Sequence, residues 1–419
     1  MTAAPQTLAI CAIAALATAG VLVRPFRWPE AIWACAGAAV LIATGLMPLA
    51  DGWHAVGKGL DVYLFLVGMM LLSETARREG VFDWVAAFAV NRAGSSPRRL
   101  FLLIYGVGVM VTALLSNDAA AVVLTPAVFA AAKTANAKPL PYLFICAFIA
   151  NAASFVLPIS NPANLVLYGD HTPPLASWLE SFALPSALSI VATYVVLRWS
   201  QRASLAGSCD CDVAQPELSA GGRAVLIGIG ATAIALLVVS ALDIRLGAPT
   251  CLLGVLTTLS VLVIKRQSPW PVMRGVSWTV LPLVAALFVL VDAVDKTGLT
   301  GALGGMLQNA ERTSLAGAAA ASGAALALVS NLMNNLPAGL IASTVLAQCH
   351  PPKKIVDALL IGVDLGPNLS VTGSLATILW LTAIRREGEH VGALTFLKVG
   401  VLVTPPALML ALGARLLLP

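Results

Sequence analysis

Long uncharged apolar stretches recur along the whole chain, and the short gaps between them hold nearly all of the Lys, Arg, Asp and Glu. A helix needs about 20 mainly apolar residues to cross a bilayer. Ten crossings fit this pattern, at roughly 8–23, 31–49, 60–75, 140–169, 181–197, 224–242, 247–264, 277–293, 354–384 and 394–414. Charged residues make up 11% of the 419 and apolar residues 59%, whereas a soluble domain carries about 25% charged residues. No soluble core hides that much apolar surface, because most residues of a globular chain keep a watery face. The pattern specifies an all-α polytopic membrane protein and excludes soluble enzymes, nucleic-acid binders and fibrous proteins. The net charge of +5 reports orientation in a bilayer and says little about nucleic acid. The first 23 residues lack a basic start and a clean cleavage site, so they read as a first span and not as a removed signal peptide. The seven Cys have no framework spacing and only Cys209-Asp-Cys211 reads as exposed, which rules out a secreted disulfide scaffold.

Two further apolar stretches, 100–134 and 314–349, carry a polar knot near the middle: Ser116-Asn117-Asp118 in one and SNLMNN (330–335) in the other. Their arms, about 13–17 residues each, are short for a crossing. They are predicted to be re-entrant hairpins with polar tips inside the protein. The two halves also resemble each other. ALLSN at 113–117 matches ALVSN at 327–331, an offset of 214; Gly80 matches Gly298, an offset of 218; Ser160 falls opposite Thr372, an offset of 212. Five crossings per half is an odd number, so the second half sits upside down, as in the inverted repeats of secondary transporters. The predicted division is a first repeat at 1–197, a polar linker at 198–223 and a second, inverted repeat at 224–419, each repeat with one hairpin and one broken helix. With both termini outside and the linker in the cytoplasm, 18 of the 25 Lys and Arg fall on the inner side and 7 on the outer. The positive-inside rule selects that orientation.

Intramembrane polar residues are functional candidates by default, because unpaired amides and carboxylates are costly in hydrocarbon. Four clusters stand out: Ser116-Asn117-Asp118, NAASFVLPISNPANLV (151–166), SNLMNNLP (330–337) and GVDLGPNLSVTGSLA (362–376). Pro158 and Pro162 break the second cluster and Gly366, Pro367 and Gly373 the fourth, leaving half-helix ends with free N–H and C=O groups. Two breaks facing two hairpin tips enclose a pocket rich in amides and hydroxyls. Its predicted lining is Ser116, Asn117, Ser160, Asn161, Asn164, Asn331, Asn334, Asn335, Thr372, Gly373 and Ser374, with Asp118 and Asp364 as its carboxylates. No Lys, Arg or His falls in the four motifs, so a small neutral hydroxyl-bearing solute fits better than a dianion. The bland readings are that some of these Asn and Ser, and Asp364, only cap helix ends. Glu74 and Asp292, at equivalent repeat positions, read as solvated boundary residues. GWHAVGKG (52–59) nearly spells a phosphate-binding loop, but Gly59 stands where the magnesium-holding Ser or Thr belongs and no strand precedes it. It is predicted to be a short outer loop that binds no nucleotide. His54, His171, His350 and His390 all read as loop residues, which leaves no intramembrane zinc or His-based catalytic site. GALGG (301–305) suits either a homodimer face or tight internal packing.

The stretches SNDAAAVVLTP (116–126), NAASFVLPISNPANLV (151–166), VSNLMNNLP (329–337) and GVDLGPNLSVTGSLATILW (362–380) resemble the arsenite/antimonite efflux permeases (ArsB type). Those permeases sit within a wider ion-transporter superfamily that includes sodium-coupled dicarboxylate carriers. The likeness runs over roughly residues 30–410. Leu332, where the dicarboxylate carriers have Thr, argues against a carboxylate site. The resemblance implies two inverted repeats and a site lined by Asn117 and Asp118, Ser160 to Asn164, Asn331 to Asn335, and Asp364 with Thr372 to Ser374. The function it implies is efflux of trivalent arsenite or antimonite across the inner membrane, with protons as coupling ion on Asp118 or Asp364. A separate arsenite-stimulated ATPase is an alternative drive, and a sodium/proton antiporter is the alternative function. No catalytic residue, resident metal or cofactor is implied.

Overall fold

The computed structural model describes residues 4–169, 172–210 and 216–418, so His171 and Cys211 lie outside the described residues. Every regular element among them is helical. The first half runs α1 (Ala4–Val23), α2 (Glu30–Ala43), α3 (Leu49–Lys58), α4 (Leu60–Arg78), α5 (Val81–Ala93), α6 (Pro97–Leu115), α7 (Thr125–Thr134), α8 (Leu140–Ala152), α9 (Pro162–Tyr168) and α10 (Leu175–Ser200). The second half runs α11 (Ala220–Ala241), α12 (Gly247–Lys265), α13 (Trp270–Gly275), α14 (Val280–Asp295), α15 (Leu299–Thr313), α16 (Leu315–Met333), α17 (Asn335–Cys349), α18 (Lys353–Leu365), α19 (Leu375–Arg386) and α20 (Ala393–Leu417). Helices therefore run into both ends of the expected linker, which narrows to 201–219.

The order of elements in the second half reproduces that of the first. Gly80 (φ 72°) and Gly298 (φ 85°) turn the chain into α5 and α15. Left-handed Ser116 (φ 113°) and Asn334 (φ 76°) break the chain after α6 and α16. Both pairs are 218 residues apart. The SN pairs, 214 apart, are thus displaced from the structural correspondence by about one helical turn. Asn331 still lies inside α16, and the tip comes three residues later.

Seven described helices are long and apolar enough to cross a membrane: α1, α6, α10, α11, α12, α16 and α20. The bent pair α3–α4, with a 50° angle at Gly59, adds an eighth. The chain is a multi-pass membrane protein. Of the ten expected crossings, those at 140–169 and 354–384 are each split into two half-length helices, and those at 31–49 and 277–293 are helices of 14 and 16 residues. The first arm of each hairpin is longer than expected, at 19 residues, or about 28 Å. Ser96 starts α6 earlier by accepting the Arg99 N–H, and α16 continues because the Asn331 amide finds acceptors within the helix and beyond it. Residues 52–58, expected in a loop, belong to α3, and His54 with them.

Small residues let the backbones meet, the usual device of membrane helix pairs. Gly68 of α4 faces Gly254 of α12, and a Cβ on Gly68 would stand 2.2 Å from the Thr250 carbonyl oxygen. In the same way Gly362 of α18 meets Gly323 of α16, at 2.2 Å from its carbonyl oxygen. Gly304, within the small-residue patch, is buried against Cys349 of α17. The deep core is aromatic: Phe144, Phe148, Trp380 and Phe396 stack across α8, α19 and α20. Ile227, Ile234, Leu252 and Val263 project outward from α11 and α12, as lipid-facing residues must.

Candidate functional site

Each break forms because its backbone groups find side-chain partners. In the first, Asn161 caps α9 by accepting the Ala163 N–H at 3.0 Å. Asn164 Nδ2 donates to the carbonyls of Ser154, Leu157 and Pro158 at 2.9–3.3 Å. Trp178 Nε1 donates to the freed Phe155 carbonyl at 3.1 Å. Ser160 Oγ accepts the Leu157 N–H and donates to the Ala113 carbonyl, both at 3.1 Å, which ties the break to α6. In the second break, Ser374 caps α19 through the Thr377 N–H at 3.1 Å. Asn331 Nδ2 donates to the Ala327 and Gly366 carbonyls, each at 2.7 Å, and its Oδ1 accepts from Ser370 Oγ at 3.0 Å. Thr372 Oγ1 donates to the Asn331 carbonyl at 3.3 Å, and the Gly373 carbonyl accepts the Asn335 N–H at 3.0 Å.

The hairpin tips follow the same chemistry. Pro126 has no N–H and its ring crowds the carbonyl four residues back, so Ala119–Leu124 widens into a π-helical turn. Thr125 Oγ1 satisfies the Ala121 carbonyl at 2.6 Å. Asn117 Oδ1 accepts the Asp118 N–H at 2.9 Å, and Asn334 Oδ1 caps α17 through the Leu336 N–H at 3.3 Å.

Both tips and both breaks meet at one point. A gap of about 10 Å³ is lined by Asn117 and Asp118, by Asn161 and Pro162, by Asn335 and Leu336, and by Leu375 and Ala376, with Leu66 and Val280 beside them. No Lys, Arg or His is among these described lining residues. Leu66, Asp118, Pro162 and Val280 also line a second, larger cavity of about 550 Å³. It extends past Ser116 to Glu74, Arg77, Ser277, Thr382 and Arg386. Of the predicted site residues, Asn117, Asp118, Asn161 and Asn335 converge on the gap and Ser116 on the cavity. Ser160, Asn164, Asn331, Asn334, Thr372, Gly373 and Ser374 stand in the surrounding frame, with the backbone bonds just given.

The two carboxylates differ. Asp118 is half-buried, and among the described residues its carboxylate has no hydrogen bond or ion pair. Asp364 is fully buried; Asn161 Nδ2 donates to its Oδ1 at 2.7 Å, bridging the two breaks, while its Oδ2 has no partner among the described residues. A fully buried carboxylate with an unpartnered oxygen is expensive as a bare anion, so Asp364 is fit to hold a proton or a small cation, whereas Asp118 meets the larger cavity.

Some expectations fail here. Glu74 is 6% exposed, not a solvated boundary residue, and takes both Arg77 Nη2 (2.6 Å) and Nε (2.7 Å) on the cavity wall. Its repeat mate Asp292 is held by Lys58 at 2.6 Å and Lys296 at 3.4 Å. Cys209, read as exposed, is 4% exposed, with its N–H on the Ser95 carbonyl. A buried ion pair also went unread: Arg415 is 2% exposed and donates Nε to Asp357 Oδ2 at 2.7 Å, while Tyr168 donates to Oδ1 at 2.6 Å. The missed signal was the spacing of seven between Asp357 and Asp364, two turns along one face of α18.

Two broken helices and two hairpin tips meeting at a polar point inside an apolar bundle define a membrane transporter, not an enzyme. The sequence model of the citrate transporter family (CitMHS) matches residues 13–384. The chain belongs to that family. It is 27% identical to the arsenical pump membrane protein of Escherichia coli (strain K12) over 394 residues, 90% of this chain and 91% of that protein. An uncharacterized transporter of Mycobacterium tuberculosis (strain ATCC 25618 / H37Rv) is 24% identical over 96% of this chain and 97% of that one. The fold is similar to that of the crystallised YdaH transporter of Alcanivorax borkumensis, with a TM-score of 0.57, 16% identity and coverage of 92% and 96%.

Proposed function

We propose that the protein exports trivalent arsenite or antimonite from the cytoplasm across the inner membrane, driven by inward proton flow. The observation that carries this is the convergence point: amides of Asn117, Asn161 and Asn335 beside Asp118, with no cation among the described lining residues. Such a lining suits a neutral triol. Trihydroxy-arsenic is a weak acid and uncharged near neutral pH, and its hydroxyls both donate and accept. The names of the arsenical pump relatives support the same substrate. The family's name points instead to citrate, but a tricarboxylate would meet Asp118 without a counter-cation at this point. A neutral solute gains nothing from membrane voltage, so uphill export needs a coupled ion, assigned here to Asp118 and Asp364.

The two halves act as inverted repeats around this site, with 97–134 and 315–349 as hairpins entering from opposite faces. Cys209 N–H bonds the Ser95 carbonyl and Asp210 N–H the Ala135 carbonyl. The linker thus touches both ends of the first hairpin, which supports their lying on one side. The larger cavity runs to Arg77 and Arg386, on the side that the basic-residue count assigns to the cytoplasm, and so corresponds to an inward-facing state.

Everted vesicles test the proposal. Arsenite should accumulate when a proton gradient is imposed and cease to accumulate with an uncoupler. Sodium-driven proton release without arsenite uptake identifies a sodium/proton antiporter, and uncoupler-resistant, ATP-dependent uptake identifies a partner ATPase. Citrate uptake in place of arsenite overturns the substrate.

A further inference from the structure

At one end of the bundle the first turn of α6 and the last turn of α10 enclose a groove of about 240 Å³ that the transport site does not use. Arg98, Arg198 and Arg202 line it together with Tyr194 and Trp199, and no Asp or Glu is among its described lining residues. Aromatic rings hold two of the arginines: the Arg198 guanidinium lies 5.8 Å from the Tyr194 ring centroid and that of Arg202 4.9 Å from Trp199. Arg198 Nη1 also donates to Tyr194 Oη at 3.4 Å. Three guanidinium groups without a carboxylate form a cradle for a phosphate, which they grip through forked N–H donors.

The groove continues into an apolar track. Val191, Val195 and Trp199, one turn apart on α10, are 56%, 55% and 54% exposed. On a helix long and apolar enough to cross the bilayer, that stripe faces hydrocarbon and leads from the cradle toward the membrane interior. A free phosphate uses the cradle alone; a phospholipid uses both. On the orientation that the positive-inside rule selects, the groove lies in the cytoplasmic leaflet, where anionic lipids draw basic juxtamembrane residues. We infer that this groove is a binding site for an anionic phospholipid, with the phosphate among Arg98, Arg198 and Arg202 and an acyl chain along Val191 and Val195. It is independent of the transported substrate.

Native mass spectrometry of the full-length protein, released from detergent with equal amounts of phosphatidylglycerol and phosphatidylcholine, tests this. The wild type should retain phosphatidylglycerol in preference. Affinity should fall roughly fivefold for each arginine removed on the way to R98Q/R198Q/R202Q. R92Q, at another basic residue, exposed and lying over the Phe88 ring, should behave as the wild type. If the triple variant is not monodisperse on gel filtration, R198Q and R202Q carry the same comparison singly. Equal retention by the arginine variants overturns the site, and so does an equal loss in R92Q. Inorganic phosphate raising the melting temperature of the lipid-free wild type, but not of the arginine variants, while phosphatidylglycerol adds nothing, overturns the lipid in favour of a soluble anion.

Discussion

Asp118 and Asp364 have the same chemistry in two settings, and the settings separate their roles. Asp118 faces the larger cavity with no protein partner among the described residues, so on the proposed mechanism it is the carboxylate that takes the proton from the side to which the cavity opens. Asp364 is fully buried, lines neither cavity and is bonded to Asn161. Asp118→Asn keeps the shape but carries no exchangeable charge, so the variant should bind arsenite and exchange it passively without accumulating it in energised vesicles. Asp364→Asn should share the defect if the proton passes between them; normal pumping by both variants removes the carboxylates from the mechanism. The amides divide in the same way. If Asn117 binds the solute as proposed, Asn117→Ala removes one or two hydrogen bonds to it, each about 0.5–1.5 kcal/mol, and apparent affinity should weaken roughly 2- to 13-fold per bond. Asn164→Ala instead strips the donor from three carbonyls of the break. It should cost about 1–3 kcal/mol of stability, seen as a lower melting temperature in detergent before any change in affinity. The sequence made both residues visible as intramembrane amides. It could not say which amide lines the gap and which is spent on backbone, because that depends on where a proline-freed carbonyl ends up.

Helices and breaks were more legible than the contacts between them. Proline, glycine and the loss of apolar character mark where α8 gives way to α9 and α18 to α19. The true hairpin tip at Asn334 was harder to read, since Asn331 looks like a helix breaker until its amide is seen bonded to Ala327 and Gly366. The short α5 and α15, and the continuation of the chain through 52–58 as helix, left no signal that composition separates from loop. Gly68 also hides in an apolar run, and only the crossing of α4 and α12 reveals its purpose. Gly68→Ala places a Cβ 2.2 Å from the Thr250 carbonyl oxygen, so the helices must part, at a cost of about 1–3 kcal/mol. At Gly230, on α11, an added Cβ would meet nothing within 4 Å. Gly230→Ala should therefore be neutral or stabilising by up to about 1 kcal/mol through helix propensity. Parallel thermal melts of the two variants check the pair, and equal melting temperatures would refute the close crossing.

For the whole molecule the decisive quantity is which face of the membrane each hairpin enters from. The basic-residue count orients the chain, and the repeated order of elements makes the second half a copy of the first. On the proposed topology an odd number of crossings per copy inverts it. A competing arrangement exists, because α6 and α16, at 19 residues each, are long enough to cross outright. The two arrangements differ in where the second arms end. Thr134, at the end of α7, and Ala347, near the end of α17, are both exposed. In a background without native cysteines, Thr134→Cys should react with a membrane-impermeant maleimide in everted vesicles and stay unmodified in intact spheroplasts. Ala347→Cys should do the reverse. The linker contacts reinforce the first expectation, since Ser95 before α6 and Ala135 after α7 both hold the 209–210 segment. For the second, Gln348 donates to Asp295 Oδ1 at 2.6 Å at the end of α14, beside Lys296 on the side with fewer basic residues. Labelling of both cysteines from one face would be incompatible with inverted hairpins, and the site could then not be offered alternately to the two sides by symmetric motion of the two halves. Labelling from opposite faces leaves Asp118 and Asn335 on tips that approach the same 10 Å³ gap from opposite sides, which is the arrangement that alternating access requires.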